Sequence, residues 1–261
     1  MPEELPFLQK HHFLLRRLHS LTGIVPIGVF LLAHLLTNSS VVWGAFALRH
    51  GRPPELGGVA YFNEEVGWIN TQIPHLLLIE ITLWASIAFH AILGVVYAMS
   101  GSNNVARYGY AGNKRYALQR LSGYVGILFI FYHVATLRWG WTFLVPGGTS
   151  WNYEFSASTL ALALRGGQGW TAAGFVVSAF YMLGVTLLIF HFVNGLWTAA
   201  ITWGLTVSAT AQKRWGQLCT VLGVALMVMG WAAVVGFATL NPEKARDAEK
   251  RGAGQVVEVT K

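Results

Sequence analysis

Charged residues are scarce in this chain: they make up 11% of its 261 residues, whereas soluble domains average about 25%. Cysteine is nearly absent, because Cys219 is the only one, so an internal disulfide and a cysteine-held iron–sulfur cluster are both excluded. Carboxylates are also missing from the long apolar stretches, where Glu80 is the one clear exception. These absences argue against a water-soluble enzyme with its own acid–base or cluster chemistry.

Hydrophobic residues make up 54% of the chain and gather in runs long enough to cross a bilayer as helices. The runs lie at about 19–43, 74–100, 121–145, 170–203 and 216–240. They lack the strict alternation of barrel strands. We therefore predict an all-α membrane protein with five transmembrane helices, the first four forming an antiparallel bundle. Residues 1–240 form one membrane domain in this interpretation, and residues 241–261 a polar, extended tail.

The net charge of +7 reflects membrane topology rather than nucleic-acid binding, because the basic residues sit mostly at the ends of the runs. Those on one side are Lys10, Arg16, Arg17, Arg107, Lys114, Arg115, Arg120, Lys213 and Arg214. The positive-inside rule then predicts a cytoplasmic N-terminus and an outer C-terminal tail. Two long outer loops, residues 44–73 and 146–169, complete this topology, and Ser158–Arg165 is predicted to form a short interfacial helix.

One histidine lies in each of the first four runs: His34, His90, His133 and His191. An ionisable side chain in lipid is costly and indicates function. Two axial histidine pairs can hold two haem irons. Counting 1.5 Å per residue puts His34 and His133 roughly 20 Å from the inner surface, and His90 and His191 roughly 15–18 Å from it. We therefore predict that His34 and His133 hold an outer haem, and that His90 and His191 hold an inner haem.

Other interpretations of these histidines stay open at this point. A single buried histidine is often a hydrogen-bonded packing residue, and a zinc or di-iron site would bring carboxylates or cysteines with it. A transporter with a histidine proton relay would be colourless and would show broken helices or repeats. The remaining candidates His11, His12, His50 and His75 lie at or beyond the interfaces and are predicted not to be ligands. Glycines on the ligand faces would give a porphyrin space; they are Gly23, Gly94, Gly126, Gly184 and Gly195.

Further polar residues carry two interpretations each. Glu80 either exchanges a proton with a quinone or is a carboxylate near the headgroups. A cluster at the inner ends of the first and third runs either contacts haem propionates or a docked partner, or serves topology and helix capping. Its members are Arg17, His19, Ser20, Arg120 and Ser122. Arg138 either holds an outer propionate or extends to the interface.

Four segments resemble the cytochrome b membrane-anchor subunit of succinate dehydrogenase and fumarate reductase, in its single-chain, five-helix, di-haem type. The first combines Arg17-Leu18-His19-Ser20-Leu21-Thr22-Gly23 with Phe30-Leu31-Leu32-Ala33-His34-Leu35. The second is Ala88-Phe89-His90-Ala91-Ile92-Leu93-Gly94. The third is Arg120-Leu121-Ser122-Gly123 with Phe131-Tyr132-His133, and the fourth is Phe190-His191-Phe192-Val193-Asn194-Gly195. The resemblance covers about residues 10–240.

This resemblance implies an anchor for a flavoprotein and an iron–sulfur subunit on the cytoplasmic face of a bacterial membrane. Electrons from succinate would then pass through two b haems to a quinone, often menaquinone in such members, and fumarate reduction would use the same parts. Some relatives carry a glutamate two residues before the fourth ligand, where this chain has Ile189, so that proton route is in doubt. The cytochrome b subunit of a hydrogenase or formate dehydrogenase is the alternative within redox proteins. No succinate site is recognisable, so the chain alone is not expected to oxidise succinate.

Overall fold

The computed structural model of the chain describes residues 7–46, 57–74, 76–102 and 104–259, and within these ranges it is helical and has no strand. The helices outside the candidate membrane spans are α1 (Phe7–Lys10), α4 (Gly57–Gln72), α7 (Ser156–Arg165) and α10 (Pro242–Val259). The helices within the spans are α2 (His12–Ile24), α3 (Pro26–Trp43), α5 (Leu76–Ser100), α6 (Ala111–Leu137), α8 (Ala172–Thr202) and α9 (Ala209–Thr239). Three-residue 3₁₀ turns occupy parts of the connections.

Among the described residues, five helical segments are long and apolar enough to cross a membrane, which confirms the predicted fold class. The first of them runs from His12 to Phe46 and includes both α2 and α3. The two helices separate at Val25 because Pro26 has no N–H to donate and its ring crowds the preceding turn. The other four segments are α5, α6, α8 and α9.

The third span was predicted about ten residues too late. It begins at Ala111, since the polar turns up to Arg120 continue the helix beyond the apolar run. It ends at Leu137 rather than near residue 145. The chain turns away there because Gly140 adopts a φ of +69°, while the N–H groups of Trp139 and Trp141 bond back to the carbonyls of Val134 and Ala135 in the last turn of the helix.

The chain divides into two compact units. The first unit contains residues 1–31, 77–125 and 187–224, and the second contains residues 32–76, 126–186 and 225–261. His90 and His191 therefore belong to the first unit, whereas His34 and His133 belong to the second. Each predicted ligand pair lies within one unit.

Three short helices of the second unit, α4, α7 and α10, pack against one another. Their core includes Phe62 of α4, whose ring lies 4.9 Å from that of Phe237, together with Leu164 of α7. The prediction of a helix at Ser158–Arg165 is confirmed by α7. The predictions of a continuous loop at 44–73 and of an extended tail after residue 240 are wrong, because Gly57–Gln72 and Pro242–Val259 are helical.

A buried carboxylate joins α10 to the start of α7. Glu249 is 1% exposed, and its Oε1 accepts hydrogen bonds from the main-chain N–H groups of Ala157 (2.7 Å) and Ser158 (3.1 Å). Its Oε2 accepts from the Ser158 hydroxyl at 2.6 Å. A carboxylate is favourable at a helix N-terminus, where N–H groups have no partner within the helix. Arg246 of the same helix stacks 3.5 Å from the ring of Phe155 and reinforces the contact.

The pH dependence of this contact is testable. Burial raises the pKa of Glu249 above its ordinary 4.5, although the hydrogen bonds from α7 and the nearby Arg246 oppose the shift. A raised pKa in the folded state means that the stabilisation is largest below the unfolded-state pKa and is lost as the pH rises through the folded-state value. We expect the protection of α10 against hydrogen exchange, corrected for intrinsic rates, to fall as the pH rises above the ordinary glutamate pKa of 4.5 and through the raised folded-state value.

The matched variant is Glu249→Gln, which keeps an acceptor oxygen but does not titrate. The protection of α10 in this variant should not change with pH, so wild-type protection should fall relative to that of Glu249→Gln as the pH rises. A rise of wild-type protection relative to Glu249→Gln would contradict the assigned direction of the pKa shift.

Candidate functional site

Two predicted ligands meet in the first unit. The imidazole rings of His90 on α5 and His191 on α8 lie 6.0 Å apart, centroid to centroid, at an angle of 81°. Both rings are half-buried. The structure therefore brings together the two residues that helix depth paired in the sequence.

The Nδ1 atom of each of these rings lies against a main-chain carbonyl. Nδ1 of His90 is 2.8 Å from the carbonyl oxygen of His19, and Nδ1 of His191 is 3.1 Å from that of Gln119. A carbonyl oxygen can only accept, so Nδ1 must carry the proton in both rings. In a neutral imidazole the other nitrogen, Nε2, then keeps its lone pair for a metal.

Glycines on the facing helices make these contacts possible. A Cβ atom on Gly23 would lie 2.5 Å from Cε1 of His90, and one on Gly123 would lie 3.2 Å from Cε1 of His191. Each glycine follows its carbonyl residue by four positions, one turn further along the same helix. Helical periodicity in the first apolar run predicted Gly23 on the same face as His34. In the structure, the side chain closest to Gly23 is that of His90 on α5.

Two side-chain nitrogens of α2 are buried and have no hydrogen-bond partner among the described residues. They are Nδ1 of His19 and Nε of Arg17. The ring of His19 is stacked on that of His90 with 4.0 Å between centroids, and the guanidinium of Arg17 covers the ring of Phe13 at 4.0 Å. An unpaired guanidinium N–H, and an unpaired imidazole nitrogen when it carries the proton, fit an acidic group that comes from another molecule, as a haem propionate would.

The other members of the predicted polar cluster have protein partners. Ser20 accepts a hydrogen bond from the indole N–H of Trp203 at 2.9 Å. Arg120 donates to the main-chain carbonyl of Gly101 at 2.8 Å. The hydroxyl of Ser122 is fully buried, donates to the Gln119 carbonyl at 3.0 Å and lies 3.2 Å from Nδ1 of His191. Ser122 therefore touches a predicted ligand.

The second unit contains the other predicted pair. The rings of His34 on α3 and His133 on α6 lie 5.7 Å apart at an angle of 89°. Nδ1 of His133 is 3.3 Å from the hydroxyl of Tyr181, and the ring of Phe129 lies 5.9 Å from that of His133 at an angle of 23°. Gly184 on α8 leaves room for Phe129, since a Cβ there would overlap the phenyl ring.

Both separations fit a six-coordinate iron. With metal–imidazole bonds of about 2 Å, two rings on opposite sides of one metal have centroids about 6 Å apart. The observed values are 6.0 and 5.7 Å. Within the described ranges, no three His, Cys, Asp or Glu side chains gather as the ligands of a zinc or di-iron site would. A haem iron needs only two protein ligands.

Glu80 and Arg138 lie near the ends of their helices. Glu80 is half-buried in the second turn of α5, and Arg138 is exposed one residue beyond the end of α6. His12 accepts a hydrogen bond from Nε of Arg16 at 3.0 Å. His50 and His75 fall outside the described residues. The roles assigned to these residues from the sequence stay predictions.

Sequence reasoning missed a polar chain that supports His191. Gln119 donates from its amide to the His191 carbonyl at 3.1 Å and accepts from the amide of Asn194 at 2.8 Å. Asn194 is buried and accepts two hydrogen bonds from Arg115, at 2.7 and 3.1 Å. An intramembrane asparagine three residues after a predicted ligand was the available signal. Tyr181, the partner of His133, was missed in the same way.

The chain was compared with known proteins, and no family model and no solved structure matches it. It is similar to the succinate dehydrogenase cytochrome b558 subunit of Bacillus subtilis (strain 168), with 32% identity over 226 residues. The match covers 86% of this chain and 96% of that protein. The chain belongs to the family of succinate dehydrogenase cytochrome b subunits. This cytochrome b chain is accordingly a multi-pass membrane subunit of an oxidoreductase complex that takes part in electron transport.

The close approach at the two glycines gives a graded prediction. Gly23→Ala places a methyl group against the imidazole of His90, so the ring must move and its bond to the His19 carbonyl weakens. We expect a cost of about 1–3 kcal/mol, as for other overpacked sites, seen as a lower thermal midpoint of the full-length chain. Gly123→Ala should cost less, because its contact is longer.

The control is Gly67→Ala in α4, where a Cβ would meet no atom within 4 Å. Alanine in this open helical position should leave the midpoint unchanged or raise it. Equal decreases of the thermal midpoint in all three variants would show that the decrease does not come from the contacts with His90 and His191.

Proposed function

We propose that this chain is the di-haem b anchor of a succinate:quinone oxidoreductase, which passes electrons from a cytoplasmic iron–sulfur subunit through two b haems to a membrane quinone. The observation that carries the proposal is the pair of imidazole pairs, 6.0 and 5.7 Å apart, in a chain of this family. Haem b, when bound, supplies an iron that takes up and releases one electron at a time.

The protein's part is to hold neutral imidazoles in fixed orientations. His90 and His191 would bind one iron through Nε2, because their Nδ1 protons are committed to main-chain carbonyls. His34 and His133 would bind the other iron, with the hydroxyl of Tyr181 accepting from Nδ1 of His133. Hydrogen bonds of this type fix the tautomer and raise the basicity of a ligand.

Arg17 and His19 would bind propionates of the haem held by His90. Their free buried nitrogens, Nε and Nδ1, support this role. Ser122 has a different place in the proposal, because its hydroxyl contacts Nδ1 of the ligand His191. Ser20, Arg120 and Arg138 remain candidates for propionate or partner contacts, as the sequence proposed.

The quinone is proposed to be menaquinone, and Glu80 to exchange a proton with it. Both assignments rest on the family resemblance and on the scarcity of carboxylates in the spans. Ile189 cannot carry a proton, so this chain lacks the side chain proposed for that route in relatives with glutamate at this position. Whether the complex oxidises succinate or reduces fumarate follows from its quinone and its potentials.

The partners are proposed to be a flavoprotein and an iron–sulfur protein on the cytoplasmic face, where the N-terminus also lies. The relative is named as a subunit of succinate dehydrogenase, which supports such an assembly. The same family relationship sets aside the hydrogenase, formate dehydrogenase and transporter alternatives. Orientation is supported by the basic residues that flank the spans.

Ligand replacement tests the proposal directly. The purified chain should contain about two low-spin haems. His90→Leu or His191→Leu should remove one of them, and His34→Leu or His133→Leu the other, because an iron with one protein ligand is held less tightly. Haem content per protein, measured as the pyridine haemochrome, and the redox-titrated spectrum identify which haem is lost.

The control is His12→Leu, which removes an exposed histidine and should retain both haems. Loss of the same spectral component in the His34→Leu and His90→Leu variants would refute the pairing. A wild-type chain that remains colourless after haem is supplied would refute the function.

Tyr181 provides a finer test of the second site. Tyr181→Phe removes the acceptor for Nδ1 of His133 and makes that imidazole a weaker donor to iron. We expect the potential of one haem to rise by roughly 40 mV, which corresponds to a hydrogen bond of about 1 kcal/mol in a one-electron couple.

The matched control is Tyr132→Phe, because the Tyr132 hydroxyl donates to the carbonyl of Leu144 and not to an imidazole. Its two potentials should stay at wild-type values. A shift of the same size in both variants, or a fall of potential in Tyr181→Phe, would contradict the proposed role.

A further inference from the structure

The first unit contains a cavity of about 700 Å³ among α6, α8 and α9 that the proposed electron transfer does not use. One side is formed by a single face of α9, at residues 209, 212, 213, 216, 217, 220 and 221. Arg115 and Trp197 contribute the other side. No acidic side chain of the described residues lines the cavity.

Two cations line the cavity, Arg115 from α6 and Lys213 from α9. Lys213 belongs to the second turn of α9 and is exposed. Arg115 is held in place by Asn194, which accepts from two of its nitrogens, and by the ring of Trp197, which lies 4.3 Å from the guanidinium carbon. The fixed guanidinium still has N–H groups to donate, because Asn194 receives only those on Nε and Nη2.

At the other end of the α9 face, the cavity is lined by Val221 and by Thr220, whose hydroxyl is engaged with the Gly216 carbonyl at 2.8 Å. Val221 lines it and is 68% exposed, and Val224 continues the exposed surface along α9. Eight residues separate Lys213 from Val221, which is about 12 Å along the helix. Gly216 lies between them, and its missing side chain keeps the groove open beside Trp197, since a Cβ there would approach the indole nitrogen to 3.1 Å.

From this arrangement we infer a binding site for one anionic phospholipid, with the phosphate between Arg115 and Lys213 and an acyl chain along the groove past Gly216 to Val221. Basic pockets between transmembrane helices bind anionic headgroups in this way. Charge complementarity decides between occupants: two cations with no carboxylate favour a net-negative headgroup over a zwitterionic one. On α9 the exposed side chains of Val221 and Val224 follow Lys213 after about two and three turns, and this amphipathic order matches a lipid rather than a free anion.

Native mass spectrometry of the full-length chain tests the site by titration with phosphatidylglycerol and with phosphatidylcholine of identical acyl chains. Wild type should prefer phosphatidylglycerol. Lys213→Gln should weaken phosphatidylglycerol binding about fivefold, the effect expected for one interfacial cation. Lys213 is the residue to change because Arg115 also belongs to the hydrogen-bond chain that reaches His191. Haem content should not change, so this test is independent of the proposed function.

Arg214→Gln is the matched control, since Arg214 is adjacent but does not line the cavity. It should bind phosphatidylglycerol within about twofold of wild type. An equal loss in Lys213→Gln and Arg214→Gln would show diffuse surface charge and overturn the site. Equal binding of the two lipids by wild type, or no binding of either, would overturn it as well.

A second comparison tests the acyl groove. Val221→Trp should fill that end of the cavity and reduce phosphatidylglycerol binding, whereas Leu218→Trp, at an exposed position of α9 outside the cavity, should not. Soluble glycerol phosphate should fail to displace the lipid at equal concentration. Displacement by glycerol phosphate, or unchanged binding in Val221→Trp, would mean that the cavity takes a phosphate group without a lipid chain.

Discussion

In the first unit, the structure around His90 and His191 depends on one requirement: each imidazole needs a hydrogen-bond acceptor for the proton on its Nδ1. An acceptor in lipid must come from the protein, and a carbonyl within a helix is already bonded to the N–H four residues later. Its oxygen has a second lone pair, so the carbonyls of His19 and Gln119 can accept from His90 and His191 without giving up a helical hydrogen bond. The imidazole must then lie against the next turn of the facing helix. That turn carries glycine in both cases, and the carbonyl and the glycine four residues later act as one receptor for a histidine ring.

The five spans and the four histidines were predictable because each leaves a local signal: an apolar run, or an ionisable residue inside it. The receptor for the ring was not, since it lies on a different helix from the ligand. Periodicity on one helix placed Gly23 beside His34, and only the packing of α2 against α5 shows His90 as its neighbour. The segments Arg17-Leu18-His19-Ser20 and Arg120-Leu121-Ser122-Gly123 were both recognised in the sequence, but the atoms that contact His90 and His191 are main-chain oxygens.

The helices missed in the second unit differ in how much of them could have been foreseen. For α10 a start signal was present: Asn241 caps the helix through the N–H of Lys244, and Pro242 occupies its first position. Its polar composition concealed this signal, because the face that it buries is made of alanines and Glu249. From the sequence alone, a glutamate is predicted to be exposed unless a partner for it is known. The partner of Glu249 is the start of α7, about 90 residues earlier in the chain.

The two units fix their imidazoles by different chemistry, and this difference follows from what each acceptor can do. A main-chain carbonyl only accepts, so His90 and His191 have one permitted tautomer. A phenol can accept or donate, so the contact between Tyr181 and His133 is compatible with either tautomer of the imidazole. The tautomer of His133 can therefore be set by the group that binds at Nε2. A substitution can remove the hydroxyl of a side chain without moving the backbone, whereas no substitution removes a main-chain carbonyl. The site at His133 is therefore the one that single substitutions can tune, and the site at His90 and His191 is set by the packing of the helices.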